Sequence, residues 1–97
     1  GVNVRIIDLR WLNPVNEKAV IDAAANCASV LIVDECRHTG SQSEALMALF
    51  AEQGTAGRET VRITADDSFI PLGRAATVTL PSRDDIIEAC IALANKH

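Results

Sequence analysis

The sequence predicts a three-layer α/β/α domain on a mostly parallel, mixed sheet. Three observations carry that prediction. Short β-branched runs alternate with helix-length amphipathic stretches in the order strand, helix, strand, helix, strand, strand, helix, and such alternation favours parallel strands joined by crossover helices. The run Val30-Leu31-Ile32-Val33 is continuously apolar, as a strand covered on both faces must be. With 97 residues, 48% of them hydrophobic, the chain is one domain, residues 1–97, with enough apolar surface for a core and too little length for separate lobes.

Each element has a local reason. Val4–Leu9 is a β-branched run and reads as the first strand. Asn16 is a good N-cap for the first helix, and Val15 and Val20 are spaced as a hydrophobic staple; Val20, Ile21, Ala24, Cys27 and Ala28 then form one apolar stripe. The second strand is Val30–Val33, ending in Asp34-Glu35. Ser41 with Glu44 has capping-box spacing at the start of the second helix, whose inner face is Ala45, Leu46, Leu49 and Phe50, and Gly54 is placed to end it in a left-handed conformation. Val61–Thr64 reads as a third strand and Thr77–Leu80 as a fourth. The last helix follows Pro81. Ser82 and Asp85 again have capping-box spacing, Asp84 and Asp85 suit its positive start and Lys96 its negative end, and Ile86, Ile87, Cys90, Ile91 and Ala94 make its stripe. Gly54–Gly57 and Asp66–Arg74 are loops.

Composition narrows the function. Nine basic against thirteen acidic residues give a net charge of −4, and the basic ones are scattered, which argues against nucleic acid as a partner. No apolar run reaches the ~20 residues that span a bilayer, so no membrane is expected. Three well-separated cysteines, Cys27, Cys36 and Cys90, do not resemble a secreted disulfide framework and point to the cytoplasm.

In open parallel sheets, ligands approach the carboxyl ends of the strands. Here those ends lead into Asp34-Glu35-Cys36-Arg37-His38-Thr39-Gly40, the stretch richest in chemistry-bearing residues. Asp34 and Glu35 point to opposite faces of a strand, so adjacency does not make them an acid–base pair; the simpler expectation is that one caps or pairs with Arg37 or another basic residue. Cys36 and His38 carry the residue types of a thiol nucleophile and its base or of half a metal site, but neither contact nor a full ligand set follows from their spacing. The Arg37–Ser43 segment opens a helix and could hold an anion on its free N–H groups, although it lacks both the dinucleotide and the Gly-Lys-Ser/Thr glycine patterns. Phe69-Ile70-Pro71-Leu72 is an apolar loop, either a contact patch or a cover for one end of the sheet. Trp11 reads as a core or interface anchor.

Taken in order, these segments resemble a known family. Val4-Arg5-Ile6-Ile7-Asp8-Leu9-Arg10-Trp11-Leu12-Asn13-Pro14 resembles the V-I-D-L-R-x-L-x-P segment of transketolase-like C-terminal domains. Leu31-Ile32-Val33-Asp34-Glu35, followed by His38-Thr39-Gly40 and Glu44, is similar to their V-V-x-E…T-G-G-x-x-x-E segment. Asp67–Leu72 is similar to D-x-P-I-P, and Leu80-Pro81-Ser82 opens the last helix as in the family. The likeness is nearest to beta subunits, or fused alpha–beta chains, of the decarboxylating component of 2-oxoacid dehydrogenase complexes.

The resemblance implies the three-layer fold without its first strand and helix, which would precede Gly1. It implies a parent enzyme that uses thiamine diphosphate and magnesium, decarboxylates a 2-oxo acid and passes the acyl group to a lipoyl arm. Neither cofactor and no catalytic residue is expected on this segment. Its implied work is subunit association, lining of the active-site channel and, in some complexes, docking of the acyltransferase's subunit-binding domain. The expected partners are therefore other domains and subunits of the parent enzyme. A homo-oligomer is also expected, because an unpaired sheet edge invites self-association. Arg37, His38 and Thr39 at the strand end, with Phe69, Ile70 and Leu72, are the expected partner contacts. Two departures from the family pattern stand out: Ser41 replaces the second glycine of the Thr-Gly-Gly turn, and Arg74 follows the Pro-Leu-Gly stretch.

Overall fold

A computed structural model of the chain describes residues 1–54 and 58–96. The order is α1 (Glu17–Ala24), β1 (Ser29–Arg37), α2 (Gln42–Gln53), β2 (Glu59–Ala65), a 3-10 helix (Gly73–Val78) and α3 (Arg83–Asn95). Residues 55–57 of the expected Gly54–Gly57 loop lie outside the described residues.

β1 and β2 pair in parallel, in register from Ser29 opposite Glu59 to Asp34 opposite Thr64. Arg37 then faces Ala65, so Glu35 and Cys36 are extra residues in a bulge. The α2 crossover between the strands is the α/β unit that the alternating pattern implied. Val20 and Ala24 of α1, Ile32 of β1, and Leu46, Leu49 and Phe50 of α2 form the core cluster, with Leu9, Val15, Ile21, Val30 and Met47 packed on its rim. Alternation along β1 turns Leu31 and Val33 away from that cluster. α3 also packs on both strands, and its buried Leu93 lies outside the cluster. The sheet thus lies between helices.

Two expected strands are not strands. Val4–Leu9 forms no ladder, and the described sheet has two strands rather than three or four. That segment is fastened to α1 instead: the Arg5 guanidinium donates to the Ala23 carbonyl at 2.7 Å, and Leu9 packs against the core. A groove of about 520 Å³ remains between Ile7–Leu9 and β1. Thr77–Leu80 contributes to a 3-10 turn and its exit because its threonines bond backwards. Thr77 Oγ1 donates to the Arg74 carbonyl at 2.9 Å and Thr79 Oγ1 to that of Ala76 at 3.5 Å, local bonds that compete with strand pairing.

The helix ends show which caps form. Asn16 Oδ1 accepts from Ala19 N–H at 3.1 Å, as expected for α1. The helix ends at Ala24, however, so Cys27 and Ala28 fall beyond it. Ser82 and Asp85 complete the reciprocal box of α3, each accepting the other's N–H at 3.1 Å. The inner face of α3 is Ile86, Ala89, Cys90 and Leu93, while Ile87 and Ile91 are exposed.

The Ser41–Glu44 box does not form; Ser41 Oγ pairs with Ser43 Oγ at 2.8 Å instead. Gly54 is not left-handed, having φ −74°. A side chain is excluded there for a different reason: a Cβ would sit 2.2 Å from the Phe50 carbonyl oxygen.

Candidate functional site

The strand ends, the start of α2 and the loop after β2 build one polar cluster. Asp34, the last residue of β1 before the bulge, organises two of these parts. Its Oδ1 accepts from Cys36 N–H and its Oδ2 from Ser43 N–H, both at 3.0 Å. The first bond shapes the bulge; the second caps α2, the task that Ser41 was expected to perform. Partial burial disfavours the Asp34 charge, but the N–H groups of Cys36 and Ser43 outweigh it and hold the carboxyl below its usual range. The expectation that one of the two acidic residues is a cap is met by Asp34.

The turn that follows depends on Gly40, whose φ of 71° lies where side chains are strained. Ser41 has φ −103°, a conformation open to any residue, so no glycine is required at that position of the turn. Asp67 closes the turn from the loop after β2: Thr39 donates to it through N–H at 2.8 Å and through Oγ1 at 2.5 Å. The Thr39 hydroxyl and amide, with a smaller contribution from the His38 charge, hold the Asp67 carboxyl below its usual range. Arg37 Nε donates to the Thr39 carbonyl at 2.9 Å.

Arg62 of β2 lies under the turn. Its Nη1 donates to the His38 carbonyl at 2.6 Å and to Ser43 Oγ at 3.1 Å. Its Nη2 is 3.0 Å from His38 Nε2 and 4.0 Å from Glu44 Oε1. The other ring nitrogen, Nδ1, is 3.0 Å from Thr64 Oγ1. Ser43, fully buried, is thereby satisfied on all sides.

The structure therefore brings Arg37, His38 and Thr39 together and ties them through Asp67 to the loop that carries Phe69, Ile70 and Leu72. Those three side chains are exposed, Phe69 to 99% and Leu72 to 94%, so the loop does not fold back over the sheet. Trp11 is also exposed rather than a core anchor. Sequence reasoning overlooked Arg62 and Thr64; the available signal was a single arginine inside the apolar alternation Val61-Arg62-Ile63.

The thiol reading finds no base. The His38 ring is engaged by Arg62 and Thr64, and the negative charge of Asp34 pushes the exposed Cys36 thiol above its usual range, opposite to the activation a nucleophile needs. Among the described residues no three His, Cys, Asp or Glu side chains are grouped to hold a metal. The Arg37–Ser43 helix start already contains a carboxylate, and Asp67 adds a second, so an added anion would meet two negative charges. No described helix is long and apolar enough to cross a membrane.

These features define a small α/β domain in which two carboxylates and an arginine at the strand ends shape a turn, beside an apolar loop. The chain belongs to the transketolase C-terminal domain family, matching "Transketolase, C-terminal domain" over residues 1–86. Among curated proteins it is similar to the pyruvate dehydrogenase E1 component subunit beta of Staphylococcus aureus and of Staphylococcus epidermidis. Each is 28% identical over 90 residues, covering 91% of this chain and 28% of the relative. The chain thus spans under a third of the length of those relatives. No solved structure matches it significantly.

Proposed function

We propose that the chain acts as the non-catalytic C-terminal domain of a thiamine diphosphate-dependent 2-oxoacid dehydrogenase beta component, of pyruvate or branched-chain type. In this reading the parent enzyme decarboxylates a 2-oxo acid and acylates a lipoyl arm. The chain joins subunits, lines the channel mouth and offers a docking surface to the acyltransferase. Family membership and the names of the relatives support the parent. Thiamine diphosphate and magnesium are assigned in this reading to other domains of the parent, as the family resemblance implies. The three unpaired cysteines favour a reducing cytoplasm.

The observation that carries the contact role is the loop after Asp67. Phe69, Ile70 and Leu72 present an apolar surface to solvent, and such surfaces mark contacts. The loop is held in place by the Thr39–Asp67 bonds, so partner binding has less ordering cost to overcome. The test is Phe69→Ala with Leu72→Ala in the assembled parent, followed by sedimentation velocity. Removing two apolar anchors weakens subunit association by about tenfold or more. Unchanged assembly together with unchanged turnover refutes the role.

A further inference from the structure

We propose that His38 and Arg62 form a proton-sensitive latch on the strand-end turn, closed while the imidazole is neutral and opened when it takes up a proton.

The argument rests on donor and acceptor chemistry. A guanidinium carries only donors and keeps its charge at every ordinary pH. Arg62 Nη2, 3.0 Å from His38 Nε2, must therefore be the donor, and Nε2 must be the unprotonated nitrogen. The proton of the neutral ring then sits on Nδ1 and faces Thr64 Oγ1 at 3.0 Å. Which nitrogen bears the proton is thus fixed by the partners on either side of the ring. An imidazolium has N–H at both positions. Protonation would set two donors and two positive charges against each other across 3.0 Å. Arg62 cannot yield: its side chain is 14% exposed, and its Nη1 is committed to the His38 carbonyl and Ser43 Oγ. The His38 side chain is exposed and free to leave.

Of the other charged groups around the ring, Asp67 favours that movement and Glu44 opposes it. From the loop after β2, the Asp67 carboxylate is close enough to feel the His38 charge. From β1, Asp34 is held by Cys36 and Ser43 N–H, and Arg37 by the Thr39 carbonyl. From α2, Glu44 lies 4.0 Å from Arg62 Nη2 and balances part of its charge. Asp67 is the anion toward which a protonated ring turns. Opening frees Thr64 Oγ1 and one guanidinium nitrogen and alters the Arg37–Thr39 surface. Its use in tuning partner contact rests on the reading proposed above; the latch itself does not.

The test is nitrogen-15 NMR of the labelled chain, titrated from pH 8 to pH 5. At pH 8 the His38 ring is expected as the Nδ1–H tautomer. As it titrates, the Arg62 Nε–H and Thr64 amide signals should move with the same midpoint. In His38→Gln, a change on an exposed loop that leaves the core untouched, that common movement is lost. In Arg62→Met the ring is expected to lose its fixed tautomer. An Nε2–H tautomer at pH 8, or Arg62 and Thr64 signals that move equally in His38→Gln, overturns the latch. Neither outcome depends on the partner-contact reading, which stands or falls with the Phe69 and Leu72 variants.

Discussion

Replacing Asp34 by alanine removes two bonds at once, from Cys36 N–H and from Ser43 N–H, both at 3.0 Å. The second is the cap of α2, and losing a cap costs about 1 kcal/mol. The first is a charge-assisted bond on a half-buried group, and its loss adds about 1–1.5 kcal/mol. The sum is about 2 kcal/mol, which in a domain of this size lowers the melting temperature by about 8–16 °C. Asp34→Asn keeps one good acceptor and should lose about half as much.

The sign with pH follows from linkage. The carboxyl of Asp34 lies below its ordinary 3.8 when folded. Its contribution is therefore fully present above that ordinary value and lost as pH falls through the lower, folded one. The gap between the parent chain and Asp34→Ala should be full at neutral pH and close in acid, below the ordinary carboxylate range. Urea titrations at neutral and acid pH measure both quantities. A loss under about 0.5 kcal/mol, the level of an ordinary surface change, or a gap that persists unchanged in acid, refutes the assignment of Asp34 as the cap.

Two further outcomes test the packing and the thiol. Leu49, 6% exposed in the core, should cost about 2–4 kcal/mol as Leu49→Ala, whereas Ile91→Ala, on the exposed side of α3 at 49%, should cost much less; similar losses in urea titrations would contradict the orientation of α3. Cys36 is exposed but electrostatically suppressed by Asp34, so iodoacetamide should label it slowly at neutral pH and faster in Asp34→Asn. Equal rates would remove Asp34 as the cause.

The legible parts of the fold were those fixed by local chemistry. Asn16, and Ser82 with Asp85, cap their helices because each partner is a few residues away. Ile32 of the Val30–Val33 run, and Leu46, Leu49 and Phe50 of α2, became core because periodicity places them on inner faces, whereas Val33 and Ala45, expected to be covered, are exposed. What failed depended on distant groups or on competition. Ser41 and Glu44 have the spacing of a box, but Asp34 reaches the Ser43 amide from across the turn and the Ser41 hydroxyl pairs with that of Ser43. Val4–Leu9 has the composition of a strand, but a strand exists only with a partner, and this segment is held to α1 by Arg5 and Leu9. At the strand ends, Arg37, His38 and Thr39 stood out by residue type and position. Arg62 and Thr64, which fix the ring of His38, come from a strand whose register with β1 no local pattern reveals.

The anchoring of α1 bears on the order in which the molecule assembles. The helix has eight residues and no basic residue in its last turn, and a helix that short does not persist alone in water. Its closing carbonyls are served by two borrowed guanidinium groups: Arg5 reaches Ala23 at 2.7 Å, and Arg58, from beyond α2, reaches Ala25 at 2.8 Å. Those bonds join residues 18 and 33 positions apart. They exist only after the intervening chain has been closed into loops, at an entropic cost that must be met first. The two bonds that close α1 therefore form only once Arg5 and Arg58 have both been brought to it, so its last turn is secured by the tertiary fold and not by the helix itself.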